Sequence, residues 1–389
     1  MARLGDYIEQ IRGVSYKPED ICSSTDNDAA AILRANNIQD DGLNFDDLLY
    51  IKESKISDKQ YIQKGDIVVC ASSGSKNLVG KAAIASENFP VAFGAFCKVV
   101  RPKKLIPSYI GYFFQSPKYR STISELSGGA NINNIRNEHI DELDIVIVSE
   151  KEQESIVNQL DDLSNLISLR KQQLSKFDEL VKSRFIELFG DPDTNPLGWN
   201  EDVLSEHLEV VGGYAFKSDK FEDEGIPVLR IGNINSGRFL PVNMVYWNDD
   251  PTLERYKMYS GDLVMSLTGT VGKDDYGNVC ILGADYPEYF LNQRNAKLSL
   301  KPTLDAKYLS ELLKFERIKR RLTGISRGVR QANISNKDIL CLCVPIAPIN
   351  LQNQFAAFVE QTDKSKLAVQ QSLETLETLK KSLMQKYFG

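Results

Sequence analysis

Apolar residues recur along two long stretches of the chain at alternating steps of three and four. In residues 152–189 they fall at Ile156, Leu160, Leu163, Ile167, Leu174, Phe177, Val181 and Leu188, with Arg170 and Arg184 breaking the register. In the second half Phe355, Val359, Val369, Leu373, Leu376, Leu383 and Tyr387 repeat the pattern, interrupted by Thr362, Lys366 and Lys380. That spacing lays a stripe along one side of an α-helix. At 1.5 Å per residue, about 38 residues make a rod of roughly 57 Å. Such a rod cannot hide its stripe inside one small domain, so the two stripes are expected to bury each other as a coiled coil. Gly190 and Asp191-Pro192-Asp193-Thr194-Asn195-Pro196 form a helix stop and a turn. The second mixed segment starts there, which predicts antiparallel helices and a dumbbell with an approximate two-fold axis.

Ahead of each helix runs a segment of short apolar stretches and turns. Asp66-Ile67-Val68-Val69-Cys70 followed by Ser72-Ser73-Gly74-Ser75 has its counterpart in Asp262-Leu263-Val264-Met265-Ser266 followed by Thr268-Gly269-Thr270. Runs of this kind bounded by Gly and Ser predict strands and loops. A short strand is expected to close each segment, at Ile145-Val146-Ile147-Val148 and at Cys343-Val344-Pro345-Ile346.

The two halves are one pattern written twice. Lys182-Ser183-Arg184-Phe185-Ile186-Glu187-Leu188-Phe189-Gly190 recurs as Lys381-Ser382-Leu383-Met384-Gln385-Lys386-Tyr387-Phe388-Gly389, a shift of 199. The same shift brings Asn134-Ile135 onto Asn333-Ile334, Asn137 onto Asn336, Ile140 onto Ile339 and Gln153 onto Gln352. Upstream, Leu33-Arg34 matches Leu229-Arg230, Gly65-Asp66 matches Gly261-Asp262, Gly13 and Lys17 match Gly213 and Lys217, and Tyr16 stands opposite Phe216. A period this long means a duplicated domain, not a solenoid. The expected fold class is α/β (α+β) in a duplicated architecture: a mixed domain at 1–148, a long helix at 149–190, a second mixed domain at 191–346 and a second long helix at 347–389.

Composition fits a folded globular protein of several domains, with 42% hydrophobic and 26% charged residues in 389. No run of about 18 apolar residues is present, and Met1-Ala2-Arg3-Leu4-Gly5-Asp6 lacks the apolar stretch of a signal peptide. A cytoplasmic location is expected. The six cysteines form no Cys-x-x-Cys pair and only two histidines, His139 and His207, accompany them, so no metal site is expected. Alternation in Ile339-Leu340-Cys341-Leu342-Cys343-Val344 would set both thiols on one strand face, as buried reduced cysteines.

The net charge of −6 argues against a nucleic-acid partner until its distribution is considered. Residues 314–330 hold seven basic side chains (Lys314, Arg317, Lys319, Arg320, Arg321, Arg327, Arg330) against Glu316 alone, while acids pair up at Glu19-Asp20, Asp40-Asp41, Asp46-Asp47, Asp161-Asp162 and Asp249-Asp250. The basic run is either a nucleic-acid-facing surface or a solvated helix face. No active site is legible. Gly80-Lys81 and Gly272-Lys273 lack the earlier Gly and the following Ser or Thr of a phosphate loop. Asn195-Pro196-Leu197-Gly198 lacks the second Pro and the aromatic of an amino-methyltransferase box.

What the halves share is loops of small, polar and basic residues. Ser127-Gly128-Gly129-Ala130-Asn131-Ile132-Asn133-Asn134-Ile135-Arg136 matches Ser326-Arg327-Gly328-Val329-Arg330-Gln331-Ala332-Asn333-Ile334-Ser335. Arg offers a fork to guanine, and Asn or Gln one to adenine. Candidate DNA contacts are Lys17, Ser73, Ser75, Lys76, Lys81, Asn131, Asn133 and Arg136 in the first half. In the second they are Lys217, Thr268, Thr270, Lys273, Lys319, Arg320, Arg327, Arg330 and Gln331. Lys319 and Arg320 would grip phosphates, and Arg327 or Arg330 would read bases. Asn134 and Asn333 read more simply as turn residues before a helix or strand.

In this duplicated order the sequence resembles the specificity subunits of type I restriction–modification enzymes over its full length. Ser149-Glu150-Lys151-Glu152-Gln153-Glu154-Ser155-Ile156 is similar to that family's Glu-Gln-containing lead into the helix, without its prolines. Pro345-Ile346-Ala347-Pro348-Ile349-Asn350-Leu351-Gln352-Asn353-Gln354 keeps the prolines but has Asn353-Gln354 where Glu-Gln is common. Phe189-Gly190-Asp191-Pro192 with Asn195-Pro196-Leu197-Gly198-Trp199 is similar to the family's link between copies. The resemblance implies two target-recognition domains reading a bipartite DNA target. It also implies two methyltransferase and two motor-endonuclease subunits as partners, with S-adenosylmethionine, ATP and magnesium held by those partners and no catalysis in this chain. A self-contained DNA-modifying enzyme and a duplicated protein–protein adaptor are the alternatives.

Overall fold

The computed structural model describes the whole chain except residues 40, 41, 76, 127–132, 236, 271, 272, 274 and 325–330 and the side chains of Asn133 and Gln331. The chain divides into two compact units, Met1–Lys171 with Gln370–Gly389, and Gln172–Val369.

Each unit is built on the same antiparallel four-stranded sheet. In the first the strand order is Ile8–Arg12, Cys97–Pro102, Ile67–Cys70, Ala82–Ile84. In the second it is Leu208–Gly212, Asn295–Leu300, Leu263–Ser266, Val279–Ile281. The strand Ile67–Cys70 is buried along its whole length because its two faces meet different cores. Ile67 and Val69 join the core that includes the helices, and Val68 and Cys70 join one shared with a smaller sheet. Leu263 and Met265 divide from Val264 in the same way. Successive side chains of a strand point to opposite faces, so a near-continuous apolar run is what a doubly covered strand requires.

The smaller sheet also recurs, with Val91–Phe93 parallel to Ala29–Leu33 in the first unit and Tyr289–Leu291 parallel to Ile226–Leu229 in the second. Identity between the halves reaches single bonds. The backbone N–H of Arg34 donates to Asn37 Oδ1 at 2.8 Å, and that of Arg230 to Asn233 Oδ1 at 3.0 Å.

The long helices run over Glu150–Phe189 and Ile349–Phe388, 40 residues each. The first starts on a reciprocal cap: Ser149 Oγ accepts from the Glu152 N–H at 3.3 Å, and Glu152 Oε2 accepts from the Ser149 N–H at 3.0 Å. The Ser149 hydroxyl, which donates to Glu152 Oε2 at 2.7 Å, and the Ser149 N–H together hold the Glu152 carboxyl below the ordinary carboxylate range. The helix ends where Gly190 takes φ 75°, a left-handed conformation that suits glycine.

The helices pair antiparallel within each unit. In the first, Tyr387 Oη donates to Gln159 Oε1 at 3.0 Å and Lys171 meets Glu377 at 3.2 Å. In the second, Lys366 pairs with Asp178, and the Arg184 guanidinium lies over the Phe358 ring at 5.7 Å.

Three expectations are corrected here. The deepest side chains at the helix ends are Phe185 and Phe189, and Met384 and Phe388, while Leu188, Leu383 and Tyr387 are only partly buried. The last turns must face a domain core as well as a partner helix, which rotates the buried stripe by a position. The run at Ile339–Val344 is not one strand. Ser335 and Asp338 cap a short helix, Asn336–Leu340, so Cys341 is exposed at its end and Cys343 opens a strand half-buried. Alternation over six residues cannot exclude a helical turn. Finally, of the first closing run, Ile145-Val146-Ile147-Val148, only Ile145 lies in a strand, Asp144–Ile145 on Ala2–Arg3, whereas Cys343–Ile346 pairs along its length with Asn200–Val203.

The Phe388 ring lies 5.1 Å from that of Tyr109 in the first unit, and the Phe189 ring 4.8 Å from that of Tyr308 in the second. Phe388→Ala is expected to destabilise the first unit by about 3–5 kcal/mol in urea denaturation, as large-to-small changes at buried rings do. A loss under about 1 kcal/mol would show that this core closes without the ring.

Candidate nucleic-acid interface

In each unit the small-residue loop and the Asn-bearing loop meet as a two-stranded antiparallel ribbon. Ser72 pairs with Asn134 and Ser73 with Asn133. In the second unit Thr268, Gly269 and Thr270 pair with Asn333, Ala332 and Gln331. Alternation explains the anchoring. Ile135 and Ile334 are buried, while Asn134 and Asn333 are exposed. Both asparagines therefore lie in strands and not, as their sequence context suggests, in turns. The ribbon joins the main sheet directly, since the Ile135 N–H donates to Ala71 O and the Ile334 N–H to Leu267 O, each at 2.8 Å.

The loop that leaves the first ribbon is held from inside. Arg120 donates from Nη1 to Val79 O at 2.9 Å and from Nη2 to Asn77 O at 2.8 Å. A shift of 199 places Arg120 on Lys319, and Lys319 Nζ donates to Asn278 Oδ1 at 2.6 Å. Both are positioning residues for the loop beneath the ribbon, a role the repeat itself could have disclosed. Lys319 is accordingly drawn into the protein, against the expectation that it faces phosphates.

Its neighbours on and just before the helix Glu316–Thr323 are also engaged. Arg320 pairs with Glu316, Arg317 lies 4.0 Å from Asp193, and Lys314 meets Glu311 at 2.9 Å. A run that looks strongly basic in the sequence is thus partly neutralised, by Glu311 and Glu316 close in sequence and by Asp193 far from it.

Other candidates are scattered. Ser73 Oγ accepts from the Ser75 N–H at 3.1 Å, and the Lys273 N–H donates to Thr270 O at 3.0 Å, so Ser75 and Lys273 lie in bends just beyond their ribbon strands. Lys81 borders a cleft of 580 Å³ in the first unit, with Arg120, Lys171 and Lys380. Arg136 is exposed just before the helix Asn137–Asp141. Lys17 and Lys217 precede the short turns Pro18–Asp20 and Ser218–Lys220, outside the ribbons, and Lys17 pairs with Glu19 at 3.5 Å. Lys76, Asn131, Arg327 and Arg330, and the side chains of Asn133 and Gln331, lie outside the described residues.

Among the described residues no group of three His, Cys, Asp or Glu side chains could hold a metal. Among the described residues no helix is long and apolar enough to cross a membrane.

A family model for the type I restriction modification DNA specificity domain matches residues 1–177 and again residues 196–378. The chain belongs to this family. The specificity subunit of the type I restriction enzyme EcoKI from Escherichia coli K12 is 30% identical over 413 residues, covering 97% of this chain and 86% of the relative. The StySPI specificity subunit from Salmonella potsdam is 42% identical over 173 residues, which is 44% of this chain and 37% of the relative. The crystal structure of a type I S subunit from M. genitalium aligns over 100% of this chain and 95% of that one, with TM-score 0.57 and 17% identity. A chain from a type I restriction–modification assembly study aligns over 100% and 96%, with TM-score 0.52 and 16% identity. These likenesses establish the fold of the specificity family.

The family's glutamine at the helix start has a structural role in both copies. Gln153 Oε1 accepts from the Ile106 N–H at 3.1 Å and its Nε2 donates to Val148 O at 3.0 Å. Gln352 Oε1 accepts from the Asp305 N–H at 2.8 Å and its Nε2 donates to Ala347 O at 2.7 Å. The counterpart of Gln153 is therefore Gln352. Gln354, in the Asn353-Gln354 pair, is exposed.

A buried lysine holds the helix that follows the first ribbon. Lys98, 6% exposed, donates from Nζ to Asn137 Oδ1 at 2.7 Å and to Gln10 Oε1 at 2.8 Å, and Gln10 in turn donates to Asp141 Oδ1 at 2.7 Å. Burial pushes its pKa down to about 8, helped by Arg12 and opposed by Asp141 and Glu138. The second copy carries Ala296 at this place.

Two outcomes follow from this geometry. Lys319→Ala is expected to cost about 1–3 kcal/mol of stability by removing its bond to Asn278, and to leave the salt slope of duplex binding unchanged; a shallower slope would show that Lys319 reaches phosphate. The unfolded chain keeps the Lys98 proton up to about pH 10.4, whereas the folded one releases it near 8. Between those values the unfolded state binds more protons, so this group makes stability rise with pH. Urea midpoints at pH 7.5, 9 and 10 should therefore rise less in Lys98→Met than in wild type. Parallel profiles would rule out this lysine as the source.

Proposed function

We propose that this chain is the specificity subunit of a type I restriction–modification complex, with one half of a bipartite DNA target read by each copy of the recognition domain. The observation that carries this reading is the double match to a DNA specificity domain on a chain whose two units each build the same ribbon. Small hydroxyl and amide side chains on a ribbon anchored to a rigid sheet suit base-edge contacts. A two-stranded ribbon is also of a size that the major groove admits.

The chain itself performs no bond-making step. Methyl transfer, translocation and cleavage belong to methyltransferase and motor-endonuclease subunits, in a cytoplasmic complex, and S-adenosylmethionine, ATP and magnesium are bound there. The duplicated helices, continuous through 40 residues each, supply further surface for those partners.

Domain exchange tests the assignment. Replacing residues 1–148 by the equivalent domain of another specificity subunit, in complex with the methyltransferase partner, should change one half-site in methylation mapping and leave the other intact. Loss of both half-sites in a folded, partner-bound chimera would defeat the proposal. Methyl transfer by the purified chain alone would instead identify a self-contained enzyme.

A further inference from the structure

We propose that the tight turns at 94–97 and 292–295 belong to the base-reading surface, with Phe96 and Arg294 as specificity-determining side chains of the first and second copies. This rests on the DNA-reading function proposed above and names residues for it that the sequence did not single out.

The two turns occupy the same place in their units. In the first, the Cys97 N–H donates to Gly94 O at 2.8 Å, closing the turn, and the Ala71 and Ser72 N–H groups both donate to Phe96 O, at 2.8 and 3.0 Å. In the second, the Asn295 N–H closes its turn on Asn292 O at 2.9 Å, and the Leu267 N–H donates to Arg294 O at 2.8 Å. Since Ala71 O and Leu267 O receive the Ile135 and Ile334 N–H groups, each turn is a third layer beside the ribbon.

Each turn is also braced from behind. The N–H of Val14 donates to Phe93 O, and that of Tyr214 to Leu291 O, each at 2.8 Å. The preceding residue must be glycine. A Cβ on Gly13 would sit 2.1 Å from Gly94 O, and one on Gly213 would sit 2.1 Å from Asn292 O. These glycines are the matched pair at the start of the repeat, and the close approach they permit fixes both turns.

From this braced backbone Phe96 extends 64% exposed, the most exposed large apolar side chain beyond Met1 among the described residues. Arg294 is exposed at the equivalent position. A single exposed apolar residue is ordinary. One carried on a pinned turn hydrogen-bonded to a DNA-reading ribbon is placed for contact, with little backbone entropy left to lose on binding. The two chemistries divide the readout. A phenyl ring makes apolar contact with a thymine methyl or wedges at a base step, and a guanidinium offers its fork to guanine.

The test is a competition titration of cognate against random duplex, at several salt concentrations, using the complex with the methyltransferase partner. Phe96→Ala and Arg294→Ala should each lower the cognate-to-random affinity ratio roughly ten- to a hundred-fold. Each should also relax one position of its own half-site in methylation mapping. Phe96→Gln serves as a second variant should Phe96→Ala fail to fold. An unchanged ratio overturns the proposal. So does an equal loss on both duplexes with a shallower salt slope, which would make these residues phosphate contacts. A wild-type complex that does not discriminate between the duplexes would overturn the DNA-reading function itself, and this inference with it.

Discussion

The fold depends on a reciprocal exchange of helix ends. The first repeat's helix finishes in the core of the second unit, where Phe185 and Phe189 pack among Tyr308, Phe315 and Phe355. The second repeat's helix finishes in the core of the first, where Phe388 packs on Tyr109 and Phe113. Tyr109 and Tyr308 are themselves fixed by bonds from their hydroxyls to Val146 O and Pro345 O, both at 2.9 Å. Neither globular segment has a complete core from its own repeat, so burial of these rings ties each unit to the helix end of the other repeat. The duplicated Phe near each helix end, Phe189 and Phe388, follows from this need for an aromatic to fill the core, and Gly190, at φ 75°, then stops the first helix.

Rigidity is passed from that core to the candidate interface in short steps. Gln153 and Gln352 satisfy backbone groups that would otherwise be buried without partners where each helix leaves its domain. The doubly buried strands Ile67–Cys70 and Leu263–Ser266 end one or two residues before the ribbons begin. Arg120 and Lys319 hold the adjoining loops from beneath. Side chains on the ribbons and the turns beside them can therefore differ between copies, as Ser72 and Thr268 or Phe96 and Arg294 do, without disturbing what supports them.

The charge pattern shows where reading a sequence stops. A count along 314–330 finds a basic stretch, but a cation's availability depends on what lies beside it in space. Glu311, Asp193 and Asn278 take up Lys314, Arg317 and Lys319, and two of these partners are distant in sequence. Residues of the same charge can therefore serve opposite ends: Lys319 faces inward to hold a loop, while Arg294, in a tight turn, faces solvent.

By itself the sequence determined the duplication, the two long helices and the near-continuously apolar central strands. Each is written in local periodicity, and periodicity follows directly from backbone geometry. The Asn-Ile pairs and the Gln153–Gln352 match were also legible as repeats, although their roles were not. Only the tertiary structure decided that Ser72–Ser73 and Asn133–Asn134 form one ribbon, that the helix ends point Phe189 and Phe388 into cores, and that Gly13 and Gly213 brace the turns bearing Phe96 and Arg294. These are contacts between residues tens to hundreds of positions apart. Their strength comes from shape and burial across the fold, and no local pattern encodes such partners.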